Sequence, residues 1–141
     1  MAMTKSARTR RRSQLDAERI NPPGLPTPLA AYSQVVKKGS MVATAGVVAL
    51  DTEGNVVGEG DIEAQTRAVL KNIKTALEAA GASMQDVIKT TVFISDMSLY
   101  KGMNAVYNEF FSDAPPARST LRAELVLPSL LVEIEALAVI D

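Results

Sequence analysis

The chain has 141 residues, 47% apolar and 22% charged, with no cysteine and no histidine. That length and balance fit one globular domain with its own core, and they exclude thiolate nucleophiles, disulfides, thiolate or imidazole zinc sites and any catalytic triad with a histidine base. The net charge of −1 hides an asymmetry: six of the fifteen basic residues lie in the first nineteen positions, while residues 20–141 carry nine Lys or Arg against fourteen Asp or Glu, a net of −5 that disfavours nucleic acid as a partner.

Residues 1–20 hold no apolar stretch long enough for a secretory signal. The longest uncharged apolar run, Met41 to Leu50, is ten residues, against about 20 for a bilayer span. A cytoplasmic protein with no membrane partner is expected. Residues 1–27 read as a flexible basic tail leading into Pro22, Pro23, Pro26 and Pro28, four of the seven prolines, which stiffen an extended arm. The folded domain is expected over residues 28–141.

Two strands, Tyr32 to Lys37 and Met41 to Leu50, are predicted as a hairpin turning at Lys38-Gly39-Ser40, with a loop from Asp51 to Gly60. Asp61 then caps a helix on which Thr66, Val69, Ile73, Ala76, Leu77 and Ala80 recur at helical spacing, and Gly81 stops it. Ser83 and Asp86 cap a short turn. Ile88 to Ser95 alternates as a strand, with Ile88, Thr90, Val92 and Ile94 on one face.

A second helix from about Ser98 to Ser112 carries the stripe Leu99, Met103, Val106, Tyr107 and Phe110, and Ala114-Pro115-Pro116 ends it. Ala117 to Leu125 and Leu131 to Val139 both alternate and are predicted as an antiparallel hairpin about Pro128-Ser129. The fold class is therefore α+β, a single mixed sheet with two helices on one face.

In that last hairpin one face carries Ser119, Leu121, Ala123, Leu125, Val132, Ile134, Ala136 and Ala138. The other carries Arg118, Thr120, Arg122, Glu124, Glu133, Glu135, Leu137 and Val139, because side chains alternate with period two. A turn at Pro128-Ser129 would set Arg122 opposite Glu135 and Glu124 opposite Glu133. A solvated sheet face with ordinary ion pairs, each contributing about 0–1 kcal/mol, is one reading. A subunit interface is the other. Desolvated carboxylates there would have shifted pKa values, a route to proton chemistry without histidine.

Five stretches carry a resemblance: Tyr32-Ser33-Gln34, Lys89 to Ile94, Asn104 to Tyr107 with Phe110-Phe111, Ala117-Arg118-Ser119-Thr120, and Val132 to Val139. In order and spacing they are similar to the signatures of the Rid (YjgF-like) family, over about residues 28–141. Gly46 through Asp51 and Ala64-Gln65-Thr66-Arg67 resemble the aminoacrylate-handling branch from pyrimidine degradation.

The resemblance implies a chorismate-mutase-like subunit in a homotrimer with a central barrel, and sites in the clefts between subunits. It also implies cofactor-free hydrolysis of 2-aminoacrylate-type enamines, through their imines, to keto acids and ammonia. By position, Arg118 would bind the substrate carboxylate and Glu133 would activate water. Tyr32, Asn104 and Thr120 would line the cleft. A planar guanidinium suits carboxylate capture and a partly desolvated Glu suits proton transfer.

Three departures alter the site: Ala30-Ala31 where well-studied deaminases have Gly-Pro, Ala45 for a frequent serine, and Thr120 for a frequent cysteine. A noncatalytic small-carboxylate-binding or chaperone-like trimer is the alternative reading. Nucleic-acid cleavage, ascribed to some relatives, suits the acidic body poorly.

Overall fold

The computed structural model describes residues 16–141, and the basic run Arg10-Arg11-Arg12 lies outside them. Strands β1 (Glu18–Ile20), β2 (Val35–Lys38), β3 (Met41–Thr44), β4 (Val47–Val48), β5 (Val87–Ile94), β6 (Ala117–Arg122) and β7 (Val132–Val139) form one mixed sheet. Its order is β1-β2-β3-β7-β5-β6, with β4 also on β7. Two helices, α1 (Ile62–Ala79) and α2 (Tyr100–Phe111), complete the fold. Helix α1 packs on β3, β4 and β7, and α2 packs on α1. No helix among the described residues is long and apolar enough to cross a membrane.

The expected hairpin forms, with Val35 opposite Thr44 and Lys38 opposite Met41. Gly39 takes a positive φ of 58° at the turn, a conformation that favours glycine. The second strand is interrupted where unbroken pairing was expected. Thr44 Oγ1 accepts the Ala136 N–H at 3.0 Å and donates to the Ala45 carbonyl at 2.8 Å. A side chain thus replaces a ladder bond, and the chain steps out at Ala45-Gly46 before β4 rejoins β7 opposite Glu133 and Ile134.

Helix α1 follows its signals: the Asp61 carboxylate accepts the Ala64 N–H, and Gly81 has a positive φ of 81°. It buries Thr66, Val69, Leu70, Ile73, Ala76 and Leu77, each large apolar side chain contributing about 1.5–3 kcal/mol. Gln65 is wholly buried. Its amide donates to Ser129 O at 2.8 Å and accepts Leu131 N–H at 2.8 Å, which ties the loop before β7 to α1. The predicted Ser83/Asp86 cap is present. In α2 the inward residues are Met103, Val106, Tyr107 and Phe111, so Phe111 takes the buried place expected for Phe110.

Three expectations are corrected. The last two strands do not pair with each other. β6 runs parallel to β5, with Thr90 opposite Arg118, Val92 opposite Thr120 and Ile94 opposite Arg122. β7 takes the other side of β5 in antiparallel register, with Phe93 opposite Glu133 and Thr91 opposite Glu135. The crossover through α2 is long enough to return the chain parallel, so β5 separates the two strands and neither predicted charge pair exists. Arg118, Thr120 and Arg122 thereby share the helix-covered face with Thr90, Val92 and Ile94. Ser119 and Leu121 share the open face with Glu133, Glu135, Leu137 and Val139.

The second correction concerns Ile88. A register shift between Val87 and Lys89 turns it outward, 51% exposed, while Thr90, Val92 and Ile94 are buried as expected.

The third is the domain's start. β1 pairs with β2 through Glu18, Arg19 and Ile20, and Leu25 is in the core, so the fold reaches back into residues 1–27. Gln34 fixes this arm, donating its side-chain amide to Pro26 O at 2.7 Å and its backbone N–H to Asn21 Oδ1 at 2.9 Å. Deleting residues 1–15, which spares β1, should leave the melting temperature within about 1 °C. Deleting residues 1–20 should lower it by several degrees, because about 1 kcal/mol shifts Tm by 4–8 °C in a small domain and 2–4 °C in a larger one. Equal melting curves for the two truncations would refute a structural role for β1.

Candidate functional site

At the start of α2, Tyr100, Asn104 and Tyr107 recur at i, i+4 and i+7, which places them on one helix face. That face meets Arg118, the second residue of β6. Arg118 Nη1 donates to Asn104 Oδ1 at 2.8 Å and Nη2 donates to the Tyr100 hydroxyl at 3.0 Å. Its Cζ lies 4.7 Å from the Tyr107 ring centre and 5.7 Å from that of Tyr100, within the range of cation–π attraction.

Tyr107 is in turn fixed by a 2.7 Å hydrogen bond with Thr90 Oγ1, and burial pushes its pKa up. Asn104 and then the Arg118 charge pull the Tyr100 pKa down. Arg118 makes no ion pair among the described residues, where the pair present is Arg67 with Glu109 across the two helices. The guanidinium is therefore held by neutral groups and keeps three N–H donors and its charge for an incoming anion.

Glu133 lies elsewhere. A cleft of about 910 Å3 opens where the chain leaves the sheet at Ala45-Gly46; Glu133, Tyr32, Ala45, Val48 and Leu127 are among its lining residues. Gly46 lets the backbone pass close to Glu133: a Cβ there would sit 2.5 Å from the carboxylate oxygen and would force that side chain to move. Glu133 is half-buried, and burial first, then the neighbouring Glu135 charge, pushes its pKa up. It makes no salt bridge among the described residues. Tyr32 is 51% exposed on the rim.

The predicted site residues thus fall into two groups. Arg118 and Asn104 meet directly. Thr120 shares their sheet face, but its hydroxyl is buried and has no hydrogen-bond partner among the described residues. Glu133 and Tyr32 belong to the cleft, on the other face of the sheet, and a single chain does not bring the two groups together. Tyr100, Tyr107 and Thr90 were not among the predicted site residues; the shared helical spacing of both tyrosines with Asn104 was the available signal.

The family described as Endoribonuclease L-PSP matches residues 24–140, nearly the whole described chain. The chain belongs to this family. A RutC family protein of Pyrococcus horikoshii is 44% identical to this L-PSP family member over 113 residues, which is 80% of this chain and 90% of the relative. A Rid family protein from Yersinia pestis superposes with a TM-score of 0.82 at 32% identity, covering 89% of this chain and all of that one. TdcF of E. coli, solved with bound serine, superposes with a TM-score of 0.80 at 34% identity, covering 88% and 99%. The Rid (YjgF-like) resemblance expected from the five sequence stretches is thereby established, and so is the α+β fold of one mixed sheet and two helices.

Proposed function

We propose that this protein is an enamine/imine deaminase, hydrolysing 2-aminoacrylate-like acids to keto acids and ammonia without a cofactor. The observation that carries the reading is the Arg118 guanidinium, fixed by an amide and two aromatic rings and without an acidic partner among the described residues. Such a group is a carboxylate receptor by its chemistry. The serine in TdcF supports a ligand carrying amine and carboxylate on one carbon.

In the reaction, Arg118 and Asn104 hold the carboxylate while the enamine takes a proton from water at its terminal carbon and gives up an N–H proton to solvent, becoming an imine. Water adds to the imine carbon as Glu133 accepts its proton. The carbon–nitrogen bond then breaks as Glu133 returns that proton to nitrogen and the hydroxyl gives its own through water to the same atom, so nitrogen leaves as ammonia and the hydroxyl becomes the carbonyl of the keto acid. Burial and the Glu135 charge push the Glu133 pKa up from the usual carboxylate range, the direction that makes it a better proton acceptor.

Because Arg118 and Glu133 lie on opposite sheet faces of one chain, the reading requires a second copy. A homotrimer would join the Arg118 group of one subunit to the Glu133 cleft of its neighbour, with Tyr32 on the rim. The open sheet face supports assembly: Met41, Leu121 and Val139 are 52%, 41% and 38% exposed there, more apolar surface than a solvated face of ion pairs would show.

The test is pyruvate appearance when 2-aminoacrylate is generated in place by a serine dehydratase. Acceleration over spontaneous hydrolysis is expected. No acceleration on several enamines and imines, with small keto acids still bound through Arg118, would replace the deaminase with a carboxylate-binding trimer.

A further inference from the structure

We propose that the Tyr100 hydroxyl is a third donor of the carboxylate site, one that determines how tightly an anionic ligand is held beside Arg118. The inference rests on the proposed role of Arg118 as the carboxylate receptor. It names a residue that the proposed reaction does not use.

The two tyrosines at the guanidinium differ in what they leave available. Tyr107 is buried, and its hydroxyl is occupied by Thr90, so it offers Arg118 only its ring. Tyr100 is 41% exposed at the first residue of α2. Its oxygen accepts a hydrogen bond from Arg118 Nη2, which uses a lone pair and leaves the phenol proton free. An anion docking on the remaining guanidinium N–H donors would meet that proton at the Nη2 end.

Asn104 and Arg118 both favour the phenolate, which makes the O–H a stronger donor than an ordinary phenol. The contact is then charge-assisted on the ligand side, the stronger class of hydrogen bond. Phenylalanine at position 100 would preserve the ring against the guanidinium and remove only this donor.

The probe is pyruvate, with methyl pyruvate as the uncharged control, titrated into the intact wild-type protein and Tyr100→Phe and followed by calorimetry or NMR shifts. Tyr100→Phe should weaken pyruvate about tenfold, the low end for a hydrogen bond to a charged group because the site is exposed. It should leave methyl pyruvate within about twofold and the melting temperature unchanged. The proposal is overturned if Tyr100→Phe binds pyruvate like the wild type, if acid and ester weaken equally, or if the wild type binds no pyruvate through Arg118. Binding is read without turnover. A protein that holds pyruvate through Tyr100 yet accelerates no deamination would sink the enzyme reading and leave this one standing.

Discussion

Arg118→Ala is expected to cut kcat/KM for 2-aminoacrylate by about thirtyfold or more, since truncating one partner of a hydrogen-bonded charge pair costs about 2–5 kcal/mol. Arg118→Lys should recover little of it. The ammonium keeps the charge, but it cannot present a planar fork to Asn104 and Tyr100 on one side and a carboxylate on the other. Both variants should fold, because Arg118 lies on the edge strand β6 and supports no ion pair among the described residues. A kcat/KM within threefold of wild type in a folded Arg118→Ala protein would end its assignment as the carboxylate receptor.

Glu133→Gln should lower kcat by about 10²–10⁴-fold, the usual contribution of a positioned acid or base, with keto-acid binding largely kept. Its stability should move the other way. The folded-state pKa of Glu133 is raised by burial and by Glu135, so the native state favours the protonated form. Stability linked to that proton is present below the unfolded pKa and is lost as pH rises through the folded one. At neutral pH the ionised carboxylate is a cost, and Gln should raise the melting temperature slightly. The gain should fade on acidification as wild-type Glu133 takes up its proton. Activity lost with stability gained is not what a structural glutamate would give.

The same two variants report on the site's composition. If each site draws Arg118 from one subunit and Glu133 from the next, mixing equal amounts of Arg118→Ala and Glu133→Gln chains through unfolding and reassembly should restore about a quarter of wild-type activity, by random placement of two chain types. A site contained in one chain would restore nothing.

Helix α1 was legible because its cap, apolar stripe and glycine stop agree, and local signals of that kind do not depend on partners. Strand β7 was legible on its faces for a similar reason, since Val132, Ile134, Ala136 and Ala138 alternate with Glu133 and Glu135 and are buried as alternation requires. Pairing is a different kind of information. The alternation of Ala117 to Arg122 says nothing about which strand lies beside it, and sequence proximity to β7 suggested a hairpin that β5 in fact occupies.

That misplacement inverted the faces of β6 and put Arg118 on the same face as Glu133, whereas the structure turns them apart. As an edge strand β6 is at most half-buried on its covered face and exposed on the other, so its residues carry no strong apolar stripe that could have corrected the choice. Residues 18–20 were missed because Glu-Arg-Ile carries no apolar run. Their strand exists only because β2 offers an open edge. The family stretches identified Arg118, Glu133, Tyr32 and Asn104 as candidates, but Tyr100 and Tyr107 emerge only when the α2 face is seen against β6.

The place of β7 bears on how such a chain emerges from a ribosome. It lies at the middle of the sheet, bonded to β3, β4 and β5, yet of the seven strands in this sheet it is the last to be made. Until Val132 and its successors are free, the β2–β3 hairpin and the β5–α2–β6 crossover have no shared ladder, and each carries an open edge. The pairings that join them span long stretches of chain, so loop-closure entropy has to be met late and all at once. A nascent protein of this design depends on its final strand arriving before those two exposed edges find partners on other chains.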